Sequence, residues 1–176
     1  MFEIVKRNGS RIASWFFRFL PESRCCGVKT WLLRHVGGIQ IGKGCEIWSS
    51  ARFIGRHIRI GDHCHIGSGV VIAGLSSEGF VEIGSNCAIG PQVYITTGTH
   101  HVGSSERRSG RGLHRPIIIG AGCGLSMRCI PLAGVTIGEG SIIGAGVVVS
   151  RDIPPNSLVA QAPVRMSTLS FQGLDW

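Results

Sequence analysis

The chain has 176 residues, of which 27 are glycine, and a formal net charge of +8. This length suits one domain, and the share of apolar residues, 43%, excludes a disordered chain. The glycines follow no third-position period, which excludes collagen, and the many Ile and Val residues favour β-structure.

The basic residues are concentrated in two segments. Residues 1–35 hold seven Lys or Arg and two Glu, whereas residues 99–116 hold four Arg and one Glu. Nucleic acid is one partner that a basic chain can bind. However, one tyrosine and dispersed arginines provide no platform for stacking bases, so we expect no nucleic-acid partner.

The N-terminal segment, residues 1–38, is predicted to form a short helical cap. One helix is expected over 12–20, where Pro21 ends it, and a second over 30–34, before two glycines. Packing on the open first turn of a solenoid would use their apolar face. The alternative is a basic, aromatic helix that rests on an anionic membrane.

The sequence contains no apolar run long enough for a transmembrane helix. The basic, aromatic start resembles a signal peptide, but Arg18 interrupts its apolar run and no small-residue cleavage site follows. We therefore expect a cytoplasmic protein, with peripheral contact at the inner face of the membrane if the second interpretation of the cap holds.

From Ile41 onward the sequence repeats every six residues: an aliphatic residue, glycine, two variable residues, a small residue and a variable one. The period is interrupted at 101–116, resumes at Ile119 and continues to Val149. A six-residue period predicts a parallel β-helix, in which each hexapeptide forms a short strand and a corner. The aliphatic residue and the small fifth residue are expected to point into the coil.

The same register explains most of the cysteines. Five of the seven occupy the small inward position: Cys45, Cys64, Cys87, Cys123 and Cys129. They are therefore expected to be reduced core residues. No Cys-x-x-Cys spacing predicts a disulfide framework or a zinc site, and the histidine spacing does not favour one. We expect no metal.

One histidine stands where chemistry could occur. His100 ends a repeat that begins at Ile95, and it leads directly into the interruption at 101–116. A histidine held by a strand at the root of a loop suits a general base. A solvated corner histidine without a role is the alternative.

Several motifs together resemble the hexapeptide-repeat O-acetyltransferases, in particular the maltose/galactoside and colanic-acid-type groups. They are Thr97-Gly98-Thr99-His100, the Arg-bearing loop followed by Pro116, and the runs 131–138 and 143–155. The similarity covers about residues 30–166. It implies a homotrimer that binds acetyl-CoA between adjacent subunits.

The expected fold class is all-β: a left-handed parallel β-helix with a short N-terminal helical cap and one extruded loop. The handedness is implied by the resemblance. The coil is expected over 39–164, with the loop 101–116 extruded, and a tail over 165–176.

The resemblance also implies roles for particular residues. His100 would take the proton of an acceptor hydroxyl as that hydroxyl attacks acetyl-CoA. Residues expected to bind the co-substrate are Met127 and Ala145 at the pantetheine arm, Ser150 and Arg151 near the nucleotide, and Arg165 after the C-terminal proline. The loop residues expected to meet the acceptor are His101, Arg107 and Arg108.

Three functions remain open at this point. The leading hypothesis is an acetyl-CoA-dependent O-acetyltransferase that acts on a hydroxyl of a sugar or glycoconjugate, without a metal. A second is acetylation of an antibiotic-like alcohol. The third is a trimeric scaffold with impaired catalysis, because Gly124-Leu125-Ser126 stands where the family has Trp-Ile-Gly, an aromatic wall of the groove.

Overall fold

The protein is represented by a computed structural model that describes residues 2–20 and 25–160, with the backbone alone for 2–8 and 18. Two α-helices open the chain: α1 (Phe2–Phe16), followed by a 3₁₀ turn (Phe17–Phe19), and α2 (Cys26–His35). Both are longer than the sequence predicts. Neither helix combines the length and apolar character needed to cross a bilayer.

The strands that follow wind into a coil with three faces. Face A consists of β1 (Gln40–Ile41), β4 (Ile58–Ile60), β7 (Val81–Ile83), β12 (Ile117–Ile119) and β15 (Thr136–Ile137). Face B consists of β2 (Glu46–Ile47), β5 (His65–Ile66), β8 (Ala88–Ile89), β13 (Gly124–Leu125), β16 (Ile142–Ile143) and β18 (Leu158–Val159). Face C consists of β3 (Arg52–Gly55), β6 (Val71–Gly74), β9 (Tyr94–Thr96), β14 (Ile130–Pro131) and β17 (Val148–Val149).

Each strand on a face pairs in parallel with its equivalent one turn away. For example, Ile41 lies opposite Ile60 on face A, and Ile47 lies opposite Ile66 on face B. On face C, β14 continues the sheet because the Tyr94 N–H donates to the Cys129 carbonyl at 3.3 Å. The predicted left-handed parallel β-helix with a helical cap is confirmed.

The interior follows the six-residue register. The aliphatic residues at the first position of each repeat form the core. The small residues at the fifth position, which include all five repeat cysteines, are buried with them as predicted. Four thiols form a column at one corner, each with its Sγ 3.1 Å from a glycine carbonyl of the next turn: Cys45, Cys64, Cys87 and Cys123. The Ser141 hydroxyl continues the column by donating to the Pro154 carbonyl at 3.0 Å.

The two helices cover the first turn of the coil. Ala13, Phe17 and Leu33 are fully buried in the common core. Several polar contacts fix the helices to the coil. The Lys29 ammonium donates to the Ile47 carbonyl at 2.9 Å, the Ser14 hydroxyl accepts from the Phe53 N–H at 3.0 Å, and the Arg34 guanidinium donates to the Ile41 and Gly42 carbonyls. The cap interpretation thus describes where the helices pack.

The interruption of the coil, which the sequence predicts as an extruded loop, is a β-hairpin. Its strands β10 (Gly98–Val102) and β11 (Ser109–His114) pair antiparallel. The Arg115 N–H donates to the Thr97 carbonyl at 2.9 Å, which closes the base of the hairpin. Because Thr97 is fully buried, the hairpin is anchored in the coil.

Candidate active site

His100 lies on β10, one strand of the projecting hairpin, and not on a strand of the coil itself. It pairs with Gly112 of β11, and the pairing becomes irregular between His100 and Val102. A side chain at Gly112 would lie 3.9 Å from His100 Nε2, so the ring lies beside this glycine. The ring is exposed and makes no hydrogen bond to any residue that the structure describes, which leaves its nitrogens available to a ligand.

The imidazole opens into a cavity of about 460 Å³ on the hairpin. The cavity is lined by His100, Arg107, Arg111, Ser109 and two glycines, without a carboxylate. Two guanidinium groups and no acid give this cavity a positive potential, which favours an anionic ligand.

The loop residues expected to meet the acceptor divide into two groups. Arg107 lines the cavity with His100, whereas His101 and Arg108 are exposed and do not line it. Successive side chains of a strand point to opposite faces, which turns His101 away from its neighbour. The sequence did not identify Arg111 as a site residue. Arg111 precedes Gly112, which pairs with His100, and only the register of the hairpin shows this proximity.

Met127 and Ala145 come together at one corner of the coil. They lie at equivalent positions one turn apart, where the Gly146 N–H donates to the Met127 carbonyl at 2.9 Å. Both residues are exposed, and their own N–H groups donate to no residue that the structure describes. This corner therefore carries two backbone N–H groups without a partner among the described residues.

Ser150 and Arg151 lie at the following corner, beyond β17. They line a cavity of about 600 Å³ together with residues of β17 and β18. The remaining expected co-substrate residue, Arg165, lies outside the described residues.

The aromatic wall that the family has in its groove is absent at the expected positions. Leu125 is buried, and the neighbouring Gly124 and Ser126 are partly exposed on face B and at its corner. A side chain at Gly124 would come no closer than 3.9 Å to Ile142, so this part of the surface is open.

One chain therefore presents the expected residues as separate groups. His100 and Arg107 share the hairpin cavity, Met127 and Ala145 share a corner, and Ser150 and Arg151 share the C-terminal cavity. No three His, Cys, Asp or Glu side chains in the described part of the chain are arranged to hold a metal ion. What the arrangement offers is an accessible base beside a cationic cavity, together with backbone donors elsewhere on the coil.

The family comparison matches the repeats. The family model described as "Hexapeptide repeat of succinyl-transferase" matches residues 57–97 and 116–151, which flank the hairpin. The galactoside O-acetyltransferase of Escherichia coli is 40% identical over 86 residues, which cover 49% of this chain and 42% of the relative. That of Lactococcus lactis is 30% identical over 126 residues, which cover 70% and 59%. The chain thus spans about half the length of these curated relatives.

Solved structures extend the similarity to most of the coil. A hexapeptide-repeat-containing acetyltransferase from Vibrio cholerae superimposes with a TM-score of 0.67 at 26% identity, covering 87% of this chain and 86% of its own. A galactoside acetyltransferase solved in complex with coenzyme A has the same fold, with a TM-score of 0.60 at 23% identity and coverages of 87% and 74%.

These matches confirm the resemblance drawn from the motifs. The fold and the repeats define a hexapeptide-repeat protein, and the proteins to which the chain is similar are hexapeptide-repeat acetyltransferases.

Proposed function

We propose that this protein is an acetyl-CoA-dependent O-acetyltransferase whose acceptor is a hydroxyl group of a sugar or glycoconjugate. The observation that carries the proposal is His100, which is exposed, without a hydrogen-bonded partner among the described residues, and positioned beside a cavity. The relatives that are galactoside O-acetyltransferases support both the reaction and a sugar acceptor.

His100 would act as the general base. Its imidazole takes the proton of the acceptor hydroxyl while the hydroxyl oxygen forms a bond to the thioester carbonyl carbon. The carbon–sulfur bond then breaks, the acyl group stays on the acceptor oxygen, and the proton passes from the imidazolium to the departing thiolate. No step requires a nucleophilic side chain.

Acetyl-CoA, as the second substrate, would lie along the coil. The paired donors at Met127 and Ala145 suit its pantetheine amides, and Arg151 suits a phosphate of its nucleotide, with Ser150 beside it. A galactoside acetyltransferase with the same fold binds coenzyme A, which supports this assignment.

The cationic cavity indicates the kind of acceptor. Arg107 and Arg111 line it with His100 and without an acidic residue. Guanidinium groups bind phosphate and carboxylate oxygens in pairs. A saccharide that carries an anionic group near its reactive hydroxyl therefore fits this cavity better than a neutral one.

A homotrimer would bring the separate groups of residues together. Face C presents outward apolar side chains, because Tyr94, Ile130 and Val148 are exposed there on successive turns. A second copy packed on this face would bury them, and it would place the hairpin of one subunit near the coil of the next.

The test is thioester consumption with purified protein, acetyl-CoA and a panel of neutral and anionic saccharides and simple alcohols. Replacing His100→Asn is expected to lower turnover about 10²- to 10⁴-fold, the usual contribution of a general base. Coenzyme A binding by calorimetry should stay unchanged. The matched control is His63→Asn, because His63 is an exposed histidine on a corner of the coil.

Other outcomes identify the alternatives. Unchanged turnover in the His100 variant would remove the role assigned to that histidine. Turnover with alcohols but with no saccharide would favour the antibiotic-like acceptor. If the protein bound no coenzyme A even at high concentration, the scaffold alternative would replace the enzyme, in keeping with the absent aromatic wall.

A further inference from the structure

The helical cap carries an aromatic cluster on its outer surface. Trp15, Phe16 and Phe19 are 53%, 47% and 71% exposed. The Trp15 ring lies edge-on to both phenylalanines, with ring centroids 5.2 Å from Phe16 and 5.1 Å from Phe19. The apolar residues that face the coil are others, Ala13 and Phe17. The exposed cluster therefore contributes nothing to the core.

A cleft of about 390 Å³ lies beside this cluster, between α1 and the first turn of face C. Trp15 forms one wall, and Arg11 and Arg52 contribute guanidinium groups from the helix and from β3. No acidic residue lines the cleft, and neither arginine pairs with a carboxylate among the described residues. The charge of both is available to an anion.

The sequence around the cluster is strongly basic. Residues 4–21 contain four Lys or Arg residues and no Asp or Glu. Exposed aromatic side chains flanked by basic residues are typical of helices that lie in a membrane interface, where Trp occupies the headgroup level. Two caps facing each other would repel, whereas an anionic bilayer complements both the charge and the apolar rings.

We propose that the cap is a docking surface for an anionic lipid bilayer. The Trp15, Phe16 and Phe19 rings enter the interface, and the cleft between Arg11 and Arg52 receives the phosphate of a lipid headgroup. The docked protein would present its coil along the membrane surface. This proposal is independent of the acetyltransferase activity.

The experiment is flotation of the full-length protein with vesicles of phosphatidylcholine, alone or mixed with phosphatidylglycerol. Binding is expected to the mixed vesicles and not to phosphatidylcholine alone, and it should weaken as salt screens the charges. The combined change Trp15→Ser, Phe16→Ser and Phe19→Ser should weaken binding at least about tenfold. Trp15→Phe, which keeps an aromatic ring, should retain most of it.

The arginines are tested with a charge-matched control. The cap pair is Arg11→Gln together with Arg52→Gln, and each of the two changes should weaken vesicle binding about fivefold, as expected for a basic residue near an anionic surface. The control pair, Arg108→Gln together with Arg115→Gln, removes the same two charges from the hairpin and its base and should leave vesicle binding unchanged. Circular dichroism verifies that every variant is folded.

Two results would overturn the proposal. Equal loss of binding in the cap pair and the hairpin pair would mean that net charge alone attracts the protein to vesicles. If the serine variants changed the oligomeric state without changing vesicle binding, a second copy of the chain would be the occupant of the aromatic cluster.

Discussion

Burial in the coil changes the acidity of the cysteine thiols, and Cys129 is a clear example. The side chain is fully buried, and burial raises the pKa of this thiol to about 11. Burial also raises the pKa of Cys123, and contact with the Cys64 thiol together with burial raises that of Cys45. These cysteines are therefore protonated, unreactive core residues.

A pH dependence of stability follows from Cys129. Its thiol ionises in the unfolded chain at a pH near 8.5 but stays protonated in the folded coil up to about 11. Its contribution is therefore fully present below pH about 8.5 and is lost as pH rises toward the folded pKa. Over that window it lowers the free energy of unfolding by about 2 to 3 kcal/mol at most.

Urea denaturation at a series of alkaline pH values measures this effect. The Cys129→Ser variant, which cannot ionise in this range, should lose less stability between neutral pH and pH about 11 than the unchanged protein does. Cys25→Ser serves as the control because Cys25 is exposed. Parallel pH profiles for all three proteins would contradict the prediction.

For individual residues of the coil the sequence was informative, because the six-residue period predicts which side chains point into the core and which point outward. Cys64 and His65 are adjacent, yet the period alone predicts that the thiol is buried and the imidazole is not, and both predictions are confirmed. The residues of the candidate site are different. Arg107 could not be distinguished from Arg108, because in the hairpin no repeat tells which side chain faces His100.

Among the elements, α1 depends on a close approach to the end of α2. Gly9 is buried on α1, and a Cβ atom there would overlap the Val36 carbonyl oxygen. Alanine favours a helix over glycine by about 1 kcal/mol. At this position the overlap with backbone outweighs that gain.

Gly9→Ala is therefore expected to destabilise the protein, by about 1 to 3 kcal/mol, as helix α1 is displaced from α2. The matched control is Gly27→Ala on α2, where a Cβ atom would meet nothing within 4 Å. That change should be neutral or stabilising by up to about 1 kcal/mol. Thermal unfolding of both variants decides the matter, and a Gly9 variant as stable as the control would show that α1 does not need this contact.

Two elements differ from the sequence prediction because contacts in the folded chain, and not the local residue types, define them. Helix α1 begins at Phe2 and not at residue 12, although Gly9 and Ser10 are poor helix formers, because packing buries both. The hairpin is rich in Gly, Ser and Arg and has no alternating apolar pattern. Backbone pairing defines it, and residue types do not reveal that pairing.

On the scale of the whole molecule, the faces of the coil differ in their outward side chains. Face A presents Arg59 and Glu82, which form an ion pair at 3.3 Å between exposed side chains. Face C presents Tyr94, Ile130 and Val148, all exposed. An exposed apolar row of this kind marks a surface for protein association, and it supports face C as the subunit contact of the proposed trimer.

The assembly prediction concerns face C. If the proposed trimer forms through face C, the double change Ile130→Lys and Val148→Lys should yield monomers, because buried unpaired charges strongly destabilise an interface. Thr136→Lys on face A is the control and should leave the assembly intact. Light scattering coupled to size-exclusion chromatography reports the mass. A trimer that persists in the double variant would exclude face C as the contact.

The regular pairing of each turn with the next also has a consequence for how the chain folds. Most partners are close in sequence, as in the pairing of Ile118 with Thr136, so each completed turn templates the following one at a small cost in loop closure. The hairpin increases the sequence separation between partners at one turn, because Ile117 pairs with Val81 and the whole of β10 and β11 lies between them in the chain. The local pairing of those strands holds Thr97 beside Arg115, so the two ends of the insertion lie close together where the coil resumes. The hairpin that holds the candidate catalytic histidine thus also connects the two parts of the coil and keeps their ends close together.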